Sequence, residues 1–195
     1  MSIEYELKFR ASEQSLNILR QQYAGEGTLL QMLTTYYDTP SGGLSAKHYT
    51  LRRRLENGIS VCTLKTPAEG YGRHELEVQC DSIDDALPQF SAMGAPADFA
   101  ALIAEGLVPV CGAKFTRQAI ALRLPESAVE LALDQGILFG GAQEQPLCEV
   151  EVELKEGDRM DACRFAAALA EKYGLNPESH SKFRRALALY KGETL

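Results

Sequence analysis

Apolar and polar residues alternate with a period of two in seven segments of the chain, a pattern typical of β-strands with one buried and one polar face. Each segment is bounded by turn-type residues. The predicted strands cover residues 3–9, 49–55, 60–65, 73–78, 115–122, 129–134 and 147–154. Strands of a doubly wound parallel sheet would instead be nearly continuous hydrophobic runs. The alternation therefore predicts an α+β fold built on an antiparallel sheet.

Apolar positions three to four residues apart predict helices between these strands. The predicted helices cover residues 12–23, 83–93, 97–105, 160–173 and 181–190. Ser12, Ser82, Asp161 and Ser181 are expected to cap the N-termini of four helices, and Gly174 follows a predicted C-terminus. Amphipathic helices of this kind would cover the apolar faces of the strands.

The polar positions of the strands are mostly charged, and the charges recur two residues apart. Side chains alternate along a strand, so Glu4, Glu6 and Lys8 share one face of the first strand, and Arg52 and Arg54 share one face of another. Further charges with the same parity are Lys65, Arg73, Glu75, Glu77, Asp134, Glu149, Glu151 and Glu153. Stacked carboxylates repel each other, so we expect cations to face them.

Closing the sheet would bring the charged faces together around a polar lumen, and we therefore expect a closed β-barrel wrapped by helices. Carboxylate oxygens suit Mg²⁺ or Mn²⁺, which bind through a few carboxylates and the oxygens of a phosphate substrate. Lysine and arginine side chains suit the phosphates themselves. The pattern thus predicts metal-dependent chemistry on a small polyanion.

Composition and net charge indicate how many domains the chain forms and which classes of partner are unsuited to it. The 195 residues, 45% hydrophobic and 24% charged, suit one domain over residues 1–195. A net charge of −7 argues against nucleic-acid binding, although basic residues bunch at 51–54 and 182–185. The apolar runs fall short of the roughly 20 residues that span a bilayer, and the N-terminus begins no signal peptide, so we expect a cytoplasmic protein without membrane association. Five widely spaced cysteines predict reduced, mostly buried thiols.

The order of these motifs resembles the CYTH superfamily, also called triphosphate tunnel metalloenzymes. Glu4-Tyr5-Glu6-Leu7-Lys8 matches the family signature ExExK. The resemblance continues through YYDTP at 36–40, LRRR at 51–54, LK at 64–65, ELE at 75–77, LDQG at 133–136, EVEVEL at 149–154 and SK at 181–182, and so covers essentially the whole chain. It implies a closed eight-stranded antiparallel barrel, or tunnel, with a charged lumen.

The resemblance also implies roles for individual residues. The metal ligands would be Glu4, Glu6 and members of the run Glu149, Glu151 and Glu153; which members bind stays open. The triphosphate ligands would be Lys8, Arg52, Arg54, Lys65, Arg117 and Lys182. A second acidic group near the metals or the attacking water would comprise Glu75, Glu77 and Asp134, and Lys8 would also act in catalysis. Arg184 and Arg185 are expected to be solvated.

Among family members, the chain most resembles the bacterial inorganic triphosphatases, so hydrolysis of inorganic triphosphate to diphosphate and phosphate is the predicted activity. Thiamine triphosphatase and class IV adenylyl cyclase stay open as alternatives, as does a non-catalytic module that binds polyphosphate or nucleotides. The acidic residues argue against the module, because a pure anion binder gains nothing from them. Tyr36 and Tyr37 are expected to pack in the core rather than stack on an organic group. We expect a monomer or a homodimer.

Overall fold

A computed structural model describes residues 5–67 and 73–195, and the strands of this part form one antiparallel sheet. The strands are β1 (Tyr5–Arg10), β2 (Thr28–Asp38), β3 (Thr50–Glu56), β4 (Ile59–Pro67), β5 (Arg73–Gln79), β6 (Val108–Arg123), β7 (Ser127–Gly140), β8 (Gln143–Gly157) and β9 (Asn176–Pro177). Their order across the sheet is β5-β4-β3-β2-β6-β7-β8-β1-β9. The antiparallel α+β architecture is the predicted one.

The prediction of a closed eight-stranded barrel is wrong, because this nine-stranded sheet is open. Among the described residues, β5 and β9 form its two edges and no backbone ladder joins them. Closure would need the outer edge of β1, but Phe9 and Arg10 pair there with β9. The Glu178 amide adds a 2.9 Å hydrogen bond to the Lys8 carbonyl. The C-terminal half of the β1 edge is thus occupied by residues 176–178, and the charged side chains line one face of an open sheet.

Six helices accompany the sheet in the described part of the chain. They are α1 (Glu13–Gln22), α2 (Gly43–Ala46), α3 (Ile83–Ala92), α4 (Phe99–Leu102), α5 (Arg159–Tyr173) and α6 (Lys182–Lys191), and a 3-10 turn follows α4 at Ile103–Glu105. None of the helices in this part is long and apolar enough to cross a bilayer.

The structure has the predicted helix caps at every position except one. The hydroxyls of Ser12, Ser82 and Ser181 accept hydrogen bonds from the amide three residues on, as predicted. Gly174 ends α5 with φ of 62°, a left-handed conformation that glycine adopts readily. The prediction for Asp161 is wrong, because α5 is capped by Asp158. Asp161 instead accepts hydrogen bonds from the Glu126 amide and the Ser127 hydroxyl, which ties α5 to the turn between β6 and β7.

The apolar face of the sheet is covered by two groups of helices. Helices α1 and α5 pack on β1 and β6–β8, where Leu16, Leu131 and Val150 are fully buried. Helices α2–α4 cover β3–β5 around Leu51 and Phe90. Burying a side chain of this size contributes about 1.5–3 kcal/mol, which fixes the strand parity, because a one-residue slip would expose the whole row.

Helix α6 lies on the opposite, charged face. Ala186 packs beside Phe115 and Leu138, which share the strand parity of Arg117 and Asp134. The Tyr36 and Phe183 rings lie 4.9 Å apart, which joins α6 to β2. The N-terminus of α6 therefore starts at the charged residues of β6–β8.

Candidate functional site

Strand register places the charged residues of β1, β7 and β8 opposite one another in rows across the sheet. Because paired residues share a face, each row is a line of neighbouring side chains. The rows are Glu6-Glu153-Glu130, Lys8-Glu151-Ala132 and Arg10-Glu149-Asp134, and the last row continues to Arg117 on β6. We call the first of these rows the acidic row.

Three buried carboxylates and the cations around them form a buried charge network. Oxygens of Asp134, Glu149 and Glu151 lie within 4.8 Å of one another. Lys182 Nζ lies 2.9 Å from Asp134 Oδ2 and 2.8 Å from Glu151 Oε1, and it also contacts Glu149. Arg117 binds Asp134 with two nitrogens, at 2.8 and 2.7 Å, and contacts Glu151 as well. Helix α6 thus brings Lys182 to the buried carboxylates of β7 and β8, and its role as a triphosphate ligand stays a prediction.

Burial and charge act in opposite directions inside this network. Burial works against the Lys182 ammonium, yet Asp134, Glu151 and Glu149 together hold its pKa above the ordinary lysine value. Burial also acts on Glu151, but Lys182 and Arg117 hold the pKa of this carboxyl well below its usual range. Burial and the neighbouring Glu151 raise the pKa of Glu149. Glu151 therefore stays ionised and pairs with both Lys182 and Arg117.

Arg185 extends the network toward the edge of the sheet. It contacts the second oxygen of Glu149, and its Nη1 lies 3.6 Å from Glu178 Oε2. The prediction of a solvated Arg185 is wrong, since only 7% of the residue is exposed, whereas Arg184 is exposed as predicted. The signal for Arg185 was its spacing, because residues three apart on a helix share a face and Lys182 lies three positions earlier.

A second group of charges lies on β3–β5. Arg52 Nη2 lies 3.6 Å and Lys65 Nζ 3.0 Å from the two oxygens of Glu75. Glu77 accepts a 3.3 Å hydrogen bond from Thr63, and Arg54 pairs with Glu56. The structure thus brings Glu75 to two of the predicted triphosphate ligands. In the sheet order, six strands lie between β5, which carries Glu75 and Glu77, and β1, which carries Glu6.

Arg52 and Arg54 on β3 each leave one nitrogen unpaired among the described residues, as Arg20 and Arg185 also do. The Nε atoms of Arg52 and Arg54 are buried and find no hydrogen-bond partner within residues 5–67 and 73–195. Burial, the neighbouring Arg52 and the more distant Arg117 lower the pKa of Arg54, while Glu56 and Glu77 act against them. Guanidinium groups crowded in this way are stabilised by an added anion, and the fork geometry of arginine suits phosphate oxygens.

The buried charge network does not fit a divalent metal ion. Each of the six oxygens of Asp134, Glu149 and Glu151 contacts a nitrogen of Lys182, Arg117 or Arg185. Among the described residues, three carboxylates thus meet three cations. A divalent ion would need to displace these contacts and would leave an excess of positive charge. The short distances between the three carboxylates are therefore not enough to make this a metal site.

The acidic row is more open to solvent and has fewer cations around it, although among the described residues only Asp134, Glu149 and Glu151 bring their oxygens within 4.8 Å of one another. The side chains of Glu6, Glu153 and Glu130 are 31%, 23% and 30% exposed. Lys8 lies 3.1 Å from Glu6, and Lys155 lies 2.7 Å from Glu153 and 3.9 Å from Glu130. Like charges directly opposite one another destabilise a sheet, so an additional cation would stabilise this row. Its hard oxygen ligands and partial hydration suit Mg²⁺ or Mn²⁺.

The predicted metal ligands are thus divided between the two places. Glu6 and Glu153 lie in the acidic row, and Glu149 and Glu151 lie in the buried charge network. Glu4 lies outside the described residues. Sequence reasoning missed Glu130, although the alternation in 129–134 gives it the same parity as Asp134.

Comparison with known sequences supports the motif order. Residues 2–187 match the CYTH domain family. The inorganic triphosphatase of Haemophilus influenzae is 31% identical over 193 residues, which cover 95% of this chain and 54% of that protein. A protein of Bacillus subtilis named as a triphosphatase candidate, YjbK, is 34% identical over 99 residues, which cover 49% of this chain and 51% of that protein. The chain spans about half the length of these curated relatives.

Solved structures share the fold. An adenylyl cyclase candidate from Hippeastrum, described as having a dominant triphosphatase activity, aligns with a TM-score of 0.65 at 18% identity and covers 99% of this chain and 98% of its own. An adenylate cyclase candidate from Bacillus halodurans aligns with a TM-score of 0.63 at 17% identity, over 94% and 97% of the two chains. At such identities the likeness shows the fold alone. Together with the family match over residues 2–187, it shows that this chain belongs to the CYTH domain family.

Proposed function

We propose that the chain is a metal-dependent hydrolase of linear triphosphates, with inorganic triphosphate as substrate and diphosphate and phosphate as products. The observation that carries the proposal is one sheet face bearing both anion-binding arginines and a carboxylate row suited to a metal. Arg52 and Arg54 have buried nitrogens without described partners, and Glu6 and Glu153 lie across the same face beside Lys8. The name of the Haemophilus influenzae relative supports the same activity.

Substrate binding in this proposal depends on cations that are held in place before the substrate arrives. Arg52 and Lys65 are held by Glu75, and Arg117 is held by Asp134. Electrostatic groups fixed in advance need no reorganisation as charge develops on the phosphoryl oxygens. Glu75 and Asp134 therefore serve as positioning residues, and Glu77 orients Thr63 on the neighbouring strand.

Catalysis would take place near β1, where the acidic row borders Lys8. A divalent ion bound by Glu6, Glu153 and Glu130 would neutralise phosphate charge and lower the pKa of a bound water. Lys8 lies between this row and Glu151 and would hold an oxygen of the reacting phosphoryl group. Lys182 would contact the phosphate chain at the N-terminus of α6.

The burial of the aromatic residues favours an inorganic substrate over a nucleotide or a thiamine derivative. On the charged face of the described strands these are Tyr36 and Phe115, which are only 4% and 6% exposed. Tyr36 packs against Phe183, and Tyr37 packs against the core beneath α2–α4. Neither tyrosine is available to stack on a base or a thiamine ring, in agreement with their predicted core packing.

The test is phosphate release from inorganic triphosphate, thiamine triphosphate and ATP, each with Mg²⁺, Mn²⁺ or EDTA, together with an assay for cyclic AMP. Metal-dependent release from inorganic triphosphate is the expected result. Cyclic AMP formation would identify a cyclase instead. Absence of turnover combined with triphosphate binding in calorimetry would identify a binding module.

Strand parity supplies a matched set of variants for this assay. Arg52→Met and Arg54→Met are expected to lower kcat/KM about 100-fold, the effect of losing one fixed electrostatic partner. Arg53 lies between them but on the opposite face, where its Nε donates to Ser60 at 2.9 Å. Arg53→Met is therefore expected to keep wild-type kcat/KM. Equal losses in all three variants would contradict the assignment of the charged face.

A further inference from the structure

A chain of ion pairs connects Lys182 to the edge of the sheet through Glu149, Arg185 and Glu178. Glu149 is fully buried, and its two oxygens contact Lys182 and Arg185 separately. Glu149 therefore bridges two cations of one helix face. Both oxygens of Glu149 are thus paired with cations.

The chain continues from Arg185 to a fixed carboxylate. The side chain of Glu178 is only 2% exposed and lies 3.6 Å from Arg185 Nη1. It accepts a 2.8 Å hydrogen bond from the His180 amide and also contacts Arg10. The Glu178 backbone is tied to Lys8 by the hydrogen bond that closes the β1 edge. The first turn of α6 is thus connected to the same strand that carries Lys8.

We propose that Arg185 is a positioning residue that fixes Lys182 through Glu149, and that Glu178 in turn fixes Arg185; the proposal rests on the function of Lys182 as a triphosphate ligand. A lysine side chain has about 2 kcal/mol of rotamer entropy, so an ammonium already held in place binds an anion with a smaller entropic cost. Arg185 also supplies one of the three positive charges that balance Asp134, Glu149 and Glu151.

Two effects of losing Arg185 therefore act in the same direction. Glu149 would be left with Lys182 alone, and its freed oxygen would compete for the ammonium. The network would also carry an excess negative charge that repels the substrate. Both effects weaken triphosphate binding and leave the acidic row and Lys8 in place.

The experiment compares Arg185→Met with Arg184→Met, which removes the exposed neighbouring arginine on the same helix. Kinetics with inorganic triphosphate, calorimetric binding of triphosphate in EDTA, and the rate at which Lys182 is acetylated, followed by peptide mass spectrometry, are measured for both. For Arg185→Met we expect KM and Kd to rise about tenfold, the equivalent of one charge-assisted hydrogen bond, with a smaller change in kcat. Lys182 should be acetylated several-fold more slowly than in the wild type, because the negative charge that Arg185 no longer balances holds the proton on the ammonium, and Arg184→Met should match the wild type.

A merely structural role would give a different result. If Arg185→Met lowers the Tm but keeps the KM and the Lys182 acetylation rate of Arg184→Met, the proposal is wrong. If Arg185→Met does not fold, Glu178→Gln decides, because among the described residues Glu178 pairs with Arg10 and Arg185 and not with Lys182. Glu178→Gln is expected to raise KM by a smaller factor, and an unchanged KM and acetylation rate would overturn the proposal.

Failure of the proposed function would look different again. Wild-type protein that neither binds nor hydrolyses triphosphate would refute the function assigned to the site. The acetylation rates of Lys182 in the wild type, Arg184→Met and Arg185→Met would still show whether Arg185 fixes the ammonium.

Discussion

Replacing Lys182 by methionine removes an ammonium that three buried carboxylates share, and the stability cost of this change tests the buried charge network. The Lys182 side chain is 11% exposed, and Asp134 and Glu149 are fully buried. Removing one partner of a buried ion pair costs about 3–5 kcal/mol, because the remaining charge stays buried without compensation. In a protein of this size, that loss corresponds to a decrease in Tm of about 6–20 °C.

Lys8→Met is the matched control, because Lys8 is also a proposed triphosphate ligand but its surroundings differ. Its side chain is 17% exposed, and its partner Glu6 is 31% exposed, at 3.1 Å. A partly solvated pair of this kind contributes about 1 kcal/mol or less. Both variants are expected to lose activity by a factor of about 100, but only Lys182→Met should lose substantial stability.

Urea unfolding followed by circular dichroism at pH 7 gives the free energy of unfolding of each variant, and phosphate release gives the activity. A loss below about 1 kcal/mol for Lys182→Met would refute the reasoning, since the network would then be worth no more than a surface pair. The double variant Lys182→Met/Glu149→Gln separates charge from packing. Recovery of stability in the double variant identifies the unpaired carboxylate as the cause; a further loss would instead point to Lys182 packing over Phe115, whose ring centroid lies 5.4 Å from Nζ.

Three further predictions concern packing, thiol chemistry and pH. Gly140→Ala should lower stability by about 1–3 kcal/mol in thermal unfolding, because its Cβ would lie 2.4 Å from the Ala186 carbonyl oxygen, which forces α6 away from β7. Cys62 and Cys111, whose pKa values burial raises to about 11 and about 12, should react with a thiol reagent at pH 8 at least about tenfold more slowly than the other cysteines, and all should react in urea. Burial acts to raise the pKa of Glu178, but Arg10 and the His180 amide hold it below the ordinary value. The stability that ionised Glu178 contributes is therefore present above the unfolded pKa of about 4.3 and is lost as pH falls through the lower folded pKa. Glu178→Gln should accordingly flatten the acid side of a series of urea-unfolding free energies measured against pH.

Strand parity could be predicted from the sequence because burial of one face enforces it. Residues such as Leu131 and Leu133 alternate with charges, and the structure buries them as expected. Strand β2 was missed, because Leu29, Leu30, Met32 and Leu33 form an apolar run without a period of two. A register shift between Tyr36 and Tyr37 breaks the alternation further along the same strand.

The open sheet could not be predicted from the same pattern, because alternation is identical in an open and a closed sheet. The distinction depends on which backbone groups pair at the edges. The edge of β1 is taken by Asn176 and Pro177, a two-residue strand too short to show any periodicity. Backbone pairing of this kind leaves no signature in side-chain hydrophobicity.

Metal ligands and structural counter-ions likewise cannot be separated by parity alone. Glu149, Glu151 and Glu153 have the same residue type, strand and face. Their environments differ because the N-terminus of α6 delivers Lys182 to Glu149 and Glu151, whereas the nearest lysine of Glu153 is Lys155 on its own strand. A carboxylate whose oxygens both contact helix-borne cations gains little from a metal, while a partly hydrated one facing another carboxylate gains the most. Under the proposed function, the position of α6 therefore divides one acidic strand into carboxylates that hold Lys182 and a carboxylate left for the metal.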